Sequence, residues 1–166
     1  GKEFLSVENE IEQVKSFIAI EKIRFKDKFD IEYDIDEKIM QYHILKLTLQ
    51  PLVENCIVHG FDRIDYKGMI KITGREHEKG VCFEIEDNGL GADTDFLNHY
   101  INDANVAVSK KGRYGVRNIQ QRIKLYFGDE YGVHFESNEY GGVTARVIIA
   151  KEDEKKTNGG EEKQRI

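Results

Sequence analysis

The chain has 166 residues, of which 25 are Lys or Arg and 31 Asp or Glu, for a formal net charge of −6. That length suits one domain with a real core and would leave two cramped, and the acidic balance argues against a nucleic-acid partner. No apolar run reaches the roughly 20 residues of a membrane span and no signal peptide is read; two cysteines, Cys56 and Cys82, are too few for a disulfide scaffold or zinc site and point to a reducing compartment.

In chain order, Ser6 is an N-cap candidate with Glu8 and Glu10 in the first turn. Val7, Ile11, Val14, Ile18 and Phe25 recur at helical spacings, and Phe17, Ile20 and Ile23 widen that surface. This helix either packs on its own sheet or ends a helical stalk that pairs with another copy. Phe29 to Ile35 alternates as a strand, with Phe29, Ile31, Tyr33 and Ile35 on one side. Residues 45–60 read as a helix whose regular part begins near Pro51, where a missing N–H costs little. Residues 69–74 and 81–87 are two strands joined by a polar turn over 76–80. Cys56 and Cys82, in apolar surroundings, read as small core residues.

Residues 92 to 112 lack a sustained apolar period beyond a turn of helix near 94–101, and a loop that long is functional or disordered. Gly115 to Phe127 is a helix with Val116, Ile119, Ile123 and Phe127 on one stripe. Residues 133–137 and 143–149 form a closing hairpin across 138–142, and the charged segment from Lys151 is expected to be a disordered tail. The pattern predicts an α+β fold, a two-layer sandwich with helices on one face of a mixed sheet. The alternation is too irregular for a doubly wound parallel sheet.

Three stretches carry chemistry. On the helix after Pro51, Asn55 and His59 share a face, while Leu52, Val53, Cys56, Ile57 and Gly60 point elsewhere. An Asn within an apolar helix costs free energy unless its amide is satisfied. A neighbouring backbone group would satisfy it; so would Mg²⁺, which takes oxygen ligands and keeps waters and phosphate oxygens. Glu54 beside it orients a ligand water, helps a phosphoryl acceptor lose its proton, or faces solvent, and spacing does not rank these. Asp87 ends a strand, where a carboxylate accepts from the exocyclic amine of adenine and repels the oxygen of guanine. Gly89 and Gly91 free the backbone for φ > 0 and for close approach to a base; a plain Asp-Asn-Gly turn is the simpler alternative. Gly112 and Gly115 precede a helix start suited to an anion, with Lys110, Lys111, Arg113 and Arg117 around it. Solvated charges on a first helical turn are the plainer alternative there.

These three blocks resemble the N box and the first two glycine boxes of the GHKL ATP-binding superfamily. From about Ser6 to Ile149 the chain is similar to the catalytic domain of a bacterial sensor histidine kinase of the YesM/LytS-like subgroup, most specifically over 49–60 and 115–128. The resemblance implies a Bergerat-type sandwich, ATP as phosphoryl donor, Mg²⁺ held by Asn55, Glu54 and Asn55 as the catalytic pair, and adenine read by Asp87. It places His59, Gly89, Gly91, Lys111, Gly112, Arg113, Gly115 and Val116 around the nucleotide, with a flexible lid over the phosphates. Residues 141–144 look like the final glycine box, with Thr144 near the adenine. Val58 departs from a basic residue frequent in relatives, Arg113 from a glycine and Cys56 from an alanine. Hydrolytic members place a Glu base where this chain has Pro51, so transfer to a protein is favoured over ATP hydrolysis.

The resemblance further implies that residues 1–26 lead from a dimerisation and phosphoacceptor region missing here, that 27–150 form the kinase-like ATPase domain, and that 151–166 are a tail. His43, His59, His77, His99 and His134 are not in a stalk-like helix, so the acceptor is expected outside this piece. The implied partners are the phosphoacceptor helix of the same full-length protein and a cognate response regulator. The implied whole is a membrane-anchored homodimer with this domain in the cytoplasm. Two alternatives stay open: a degenerate nucleotide-binding module acting through protein contacts, and another GHKL enzyme such as a serine-directed kinase or a chaperone-type ATPase.

Overall fold

The computed structural model describes residues 3–106 and 113–152. Strand β1 (Phe4–Ser6) leads straight into helix α1 (Val7–Arg24). The Ser6 hydroxyl accepts the Asn9 N–H at 3.1 Å, satisfying one of the helix's orphan donors. Val7, Ile11, Val14 and Ile18 are buried as the spacing predicts, so α1 packs on the core of its own domain, while Ile20 and Ile23 stay exposed. Two carboxylates, Glu10 and Glu21, are buried on the same side.

The main sheet has the order β2-β4-β5-β7-β6, from β2 (Phe29–Ile35), β4 (Gly68–His77), β5 (Gly80–Asp87), β6 (Gly132–Ser137) and β7 (Val143–Ile149). Strand β2 runs parallel to β4 and the other neighbours are antiparallel, so the sheet is mixed as expected. A parallel pair needs a crossover. It is supplied by β3 (His43–Leu45), which pairs with β1, and by helix α2 (Gln50–Asn55).

Alternation gives the sheet two unlike faces. Ile70, Ile72, Phe83, Ile85, Ala145, Val147, Val133 and Phe135 are buried on one of them. The other carries the cross-strand rows Glu32–Lys71–Glu86–Thr144–Glu136 and Asp34–Thr73–Glu84–Arg146–His134. Side chains of α1, α2 and helix α4 (Tyr114–Phe127) complete the single core, with Val116, Ile119, Ile123 and Phe127 on the buried stripe of α4. The expected α+β sandwich is the observed one.

Three expectations change. Residues 45–60 are not one helix: Leu45 ends β3, a turn follows, and α2 passes after Asn55 into a π turn over Cys56–Gly60. The stretch read as a loop contains helix α3 (Thr94–Asn102), capped by Asp93 and burying Leu97, Tyr100 and Ile101. Its apolar positions are too few for a sustained period, yet enough to pack one short helix. The start of the tail is also packed: Lys151 lies 4.1 Å over the Tyr42 ring and Glu152 is buried. Residues 153–166, and Lys110, Lys111 and Gly112, lie outside the described residues.

Candidate functional site

Strand β5 delivers Asp87 to the inner face at its last position, only 4% exposed. Its carboxylate accepts the N–H of Gly89 at 2.9 Å and of Val143 at 3.3 Å, and the Cys56 thiol lies beside it. Burial pushes its pKa above the ordinary carboxyl value, and those three donors pull it back.

The surrounding backbone fits closely. A Cβ on Gly89 would come 2.3 Å from the Gly60 carbonyl oxygen, and one on Gly142 would come 2.2 Å from that of Asp87. Glycine is therefore needed at 89 for close approach to the π turn. It is Gly91, not Gly89, that adopts positive φ, at 82°. The Leu90 N–H donates to the Gly60 carbonyl at 2.9 Å, tying the turn after β5 to the end of the π turn.

The π turn sets this junction. The Phe61 N–H reaches back to Cys56, and Gly60 is brought to about van der Waals distance of the Asp87 carboxylate, 3.4 Å from a hypothetical Cβ. Cys56 and Gly60, expected to point away from the site, are thus the residues of this helix that meet Asp87. Asn55 precedes the π turn, 9% exposed, and its Oδ1 is buried with no hydrogen-bond partner among the described residues. No backbone group among the described residues meets that oxygen, and its burial is costly unless something else approaches it. His59 is half-buried in the π turn and Glu54 half-buried on α2.

At the start of α4, Arg113 is the capping residue without a side-chain cap bond. Its guanidinium is half-buried with Nε unpartnered among the described residues, and burial lowers its pKa. A Cβ on Gly115 would lie 3.2 Å from that of Pro51, so the two helix starts touch. The Val116 side chain is in the core, which leaves its backbone N–H as the group able to meet a phosphate. Arg117 reaches to α3 and the turn after it. Its Nε donates to the Tyr100 carbonyl at 3.1 Å, Nη2 donates to the carbonyls of Asp103 (3.2 Å) and Val106, and its guanidinium lies 3.8 Å over the Tyr100 ring.

Thr144 is not brought to the Asp87 carboxylate. It pairs with Glu86 and Glu136 on the outer row, and Val143 occupies the inner position. The link is indirect: Asn138 Nδ2 donates to the Asp87 carbonyl at 2.9 Å and lies 3.3 Å from the Thr144 hydroxyl. Asn138 escaped the sequence reading, although an Asn opening a Gly-Gly hairpin is a signal for a side chain that bonds its own turn. Its Oδ1 accepts from Tyr140 and Gly142.

No protein-family model matches the chain. It is 32% identical over 149 residues to the sensor histidine kinase YesM of Bacillus subtilis, covering 89% of this chain and 24% of that protein. It is 37% identical over 146 residues to the sensor histidine kinase YpdA of Escherichia coli, covering 88% and 25%. The chain thus spans about a quarter of the length of these curated relatives. Among solved structures, the catalytic domain of histidine kinase ThkA superposes with a TM-score of 0.67 at 19% identity, covering 92% of this chain and 97% of that one. The ATP-binding domain of PrrB from Mycobacterium tuberculosis gives 0.60 at 14% identity, covering 89% and 96%. The chain is a homologue of the sensor histidine kinases and has the fold of a histidine kinase catalytic domain.

Proposed function

We propose that this chain is the ATP-binding catalytic portion of a two-component sensor histidine kinase, passing the γ-phosphate of ATP to a histidine in a part of the protein outside this sequence. The observation that carries the reading is a pair of buried acceptors linked through the π turn: the Asn55 amide oxygen, just before that turn and without a partner among the described residues, and the Asp87 carboxylate, which Cys56 and Gly60 of the turn meet. Two N–H donors on Asp87 Oδ1 hold its orientation, and Oδ2 would accept from the adenine amine.

Asn55 suits Mg²⁺. Among the described residues no three His, Cys, Asp or Glu side chains gather into a metal site, and Mg²⁺ takes few protein ligands when phosphates and waters supply the others. When bound, Mg²⁺ would neutralise charge on the transferring phosphoryl group. Arg113, Gly115 and the Val116 N–H at the start of α4 would receive phosphate oxygens, together with Lys111 and Gly112. Glu54 and His59 flank the metal ligand. Pro51, lacking a titratable group, cannot activate water. The same reading makes 1–26 the connection to a dimerisation and phosphoacceptor region, with a response regulator as downstream partner. It makes the whole protein a membrane-anchored homodimer; among the described residues no helix is long and apolar enough to cross a membrane.

Calorimetric titration with ATP and Mg²⁺ tests this. Asp87→Asn and Asn55→Ala are each expected to cost about 1.5–3 kcal/mol of binding, the range of a hydrogen bond to a charged group, or roughly 10- to 150-fold in Kd. Wild-type affinity in both variants would remove the assignment.

A further inference from the structure

We propose that Glu10 is a positioning residue for this site, its carboxylate on α1 gathering the N–H groups of Leu47, Thr48 and Leu49 and so setting the helix that carries Asn55. The inference rests on the nucleotide-site reading above. Glu10 is 1% exposed on the apolar seam of α1, between Val7 and Ile11 on one side and Val14 on the other, where an aliphatic residue would pack at less cost. Its oxygens receive Leu47 N–H at 3.1 Å, Thr48 N–H at 2.9 Å and Leu49 N–H at 3.3 Å.

Those three amides form the turn that launches α2, and Glu10 is the one side chain that accepts from all of them. Leu47 sits at φ 58°, a left-handed conformation that an L side chain disfavours. Leu49 caps α2 with no side-chain hydrogen bond, and Pro51 donates none. The turn's other hydrogen bonds include Lys46 N–H to the Glu3 carbonyl at 2.9 Å, Arg122 Nη2 to the Lys46 carbonyl at 3.0 Å, and the Thr48 hydroxyl to the Leu45 carbonyl at 2.6 Å. Glu10 therefore anchors, from a different helix, the turn that runs into the N-cap of α2. It fixes where α2 begins, and Asn55 follows within two turns.

Mg²⁺ demands near-ideal octahedral geometry, so a small rotation of α2 would move the Asn55 oxygen out of reach while leaving Asp87, anchored in the sheet, in place. A displacement of α1 would act on metal binding through the same three bonds.

The test uses the whole chain with Glu10→Gln, which keeps the volume but turns an amide nitrogen toward N–H donors, and Glu10→Asp, which keeps the charge one methylene short. Two quantities are read: the gain in ATP affinity from Mg²⁺ over EDTA, and hydrogen exchange along 50–60 in nucleotide-free protein. Glu10→Gln is expected to lose about tenfold or more of the Mg²⁺ gain, the scale of a misplaced ligand. Metal-free affinity should stay near wild type, and α2 should exchange faster while β4 and β5 do not; Glu10→Asp should fall between. Should Glu10→Gln fail to fold, Glu10→Asp decides by the same readouts. A folded variant with the full Mg²⁺ gain overturns the proposal, even if α2 has loosened, because Glu10 would then be structural only. A wild-type chain that gains nothing from Mg²⁺ instead refutes the nucleotide-site reading, and this proposal with it.

Discussion

The two thiols sit in unlike surroundings despite their similar sequence contexts. Cys56 is 4% exposed, its sulfur 3.3 Å from the Leu52 carbonyl and beside the Asp87 carboxylate, and burial with that negative neighbour raises its pKa well above the ordinary thiol value. Cys82 is half-buried on the outer side of β5; burial raises its pKa too, but Arg146 offsets part of the shift. Thiolate is the reactive form. A disulfide reagent added to native protein is therefore expected to modify Cys82 first and Cys56 only at the rate of local opening. Equal rates for Cys56→Ser and Cys82→Ser variants would contradict this. The same burial bears on the site, since any group larger than a thiol at position 56 would press on Asp87.

Helices α3 and α4 are joined by one arginine. Arg117 donates to carbonyls at the C-terminal end of α3 and in the turn after it, where unpaired carbonyls and the negative helix end attract a cation. Gln120 adds a second tie, donating to Asn102 Oδ1 at 3.0 Å and accepting the Val133 N–H at 2.6 Å. The described part of the segment read as a lid is thus fastened to α4. Arg117→Ala is expected to cost about 1.5–3 kcal/mol locally, seen as loss of exchange protection over 97–106 with β4 and β5 unchanged. If that segment proves equally protected in the variant, Arg117 is not what holds it.

Across the whole molecule, the buried carboxyls should shape stability against pH. Burial raises the pKa of Glu10 from 4.5, against three backbone N–H groups and Arg122 that lower it, and raises that of Asp87 from 3.8. Each group binds its proton more tightly folded than unfolded. Both therefore make stability fall as pH rises from the ordinary carboxyl value through the raised folded one. Asp30 works in the opposite sense: Lys22 donates to it and lowers its pKa, so its contribution is lost as pH falls. Being exposed, it is screened by solvent and salt. Urea unfolding of wild type and Glu10→Gln through the acidic range should show a shallower decline with rising pH in the variant; parallel curves would exclude Glu10 as a source.

Local physics was enough for much of this protein. The spacing of Val7, Ile11, Val14 and Ile18 determined α1, the stripe from Val116 to Phe127 determined α4, and alternation determined β5 and β7, because periodicity depends only on which faces are buried. Asp87, Gly89 and Asn55 could be singled out by residue type and order alone. The parallel pairing of β2 with β4 could not, since partner choice is made by residues far apart in the chain. Nor could the π turn at Cys56–Gly60, the reach of Arg117 to α3, the displacement of Thr144 by Val143, or the bonds from Glu10 to a turn almost forty residues away. Each of these is a backbone group finding a partner across the fold. A Glu on an apolar seam announces that some buried donor awaits it, but only the tertiary structure decides which.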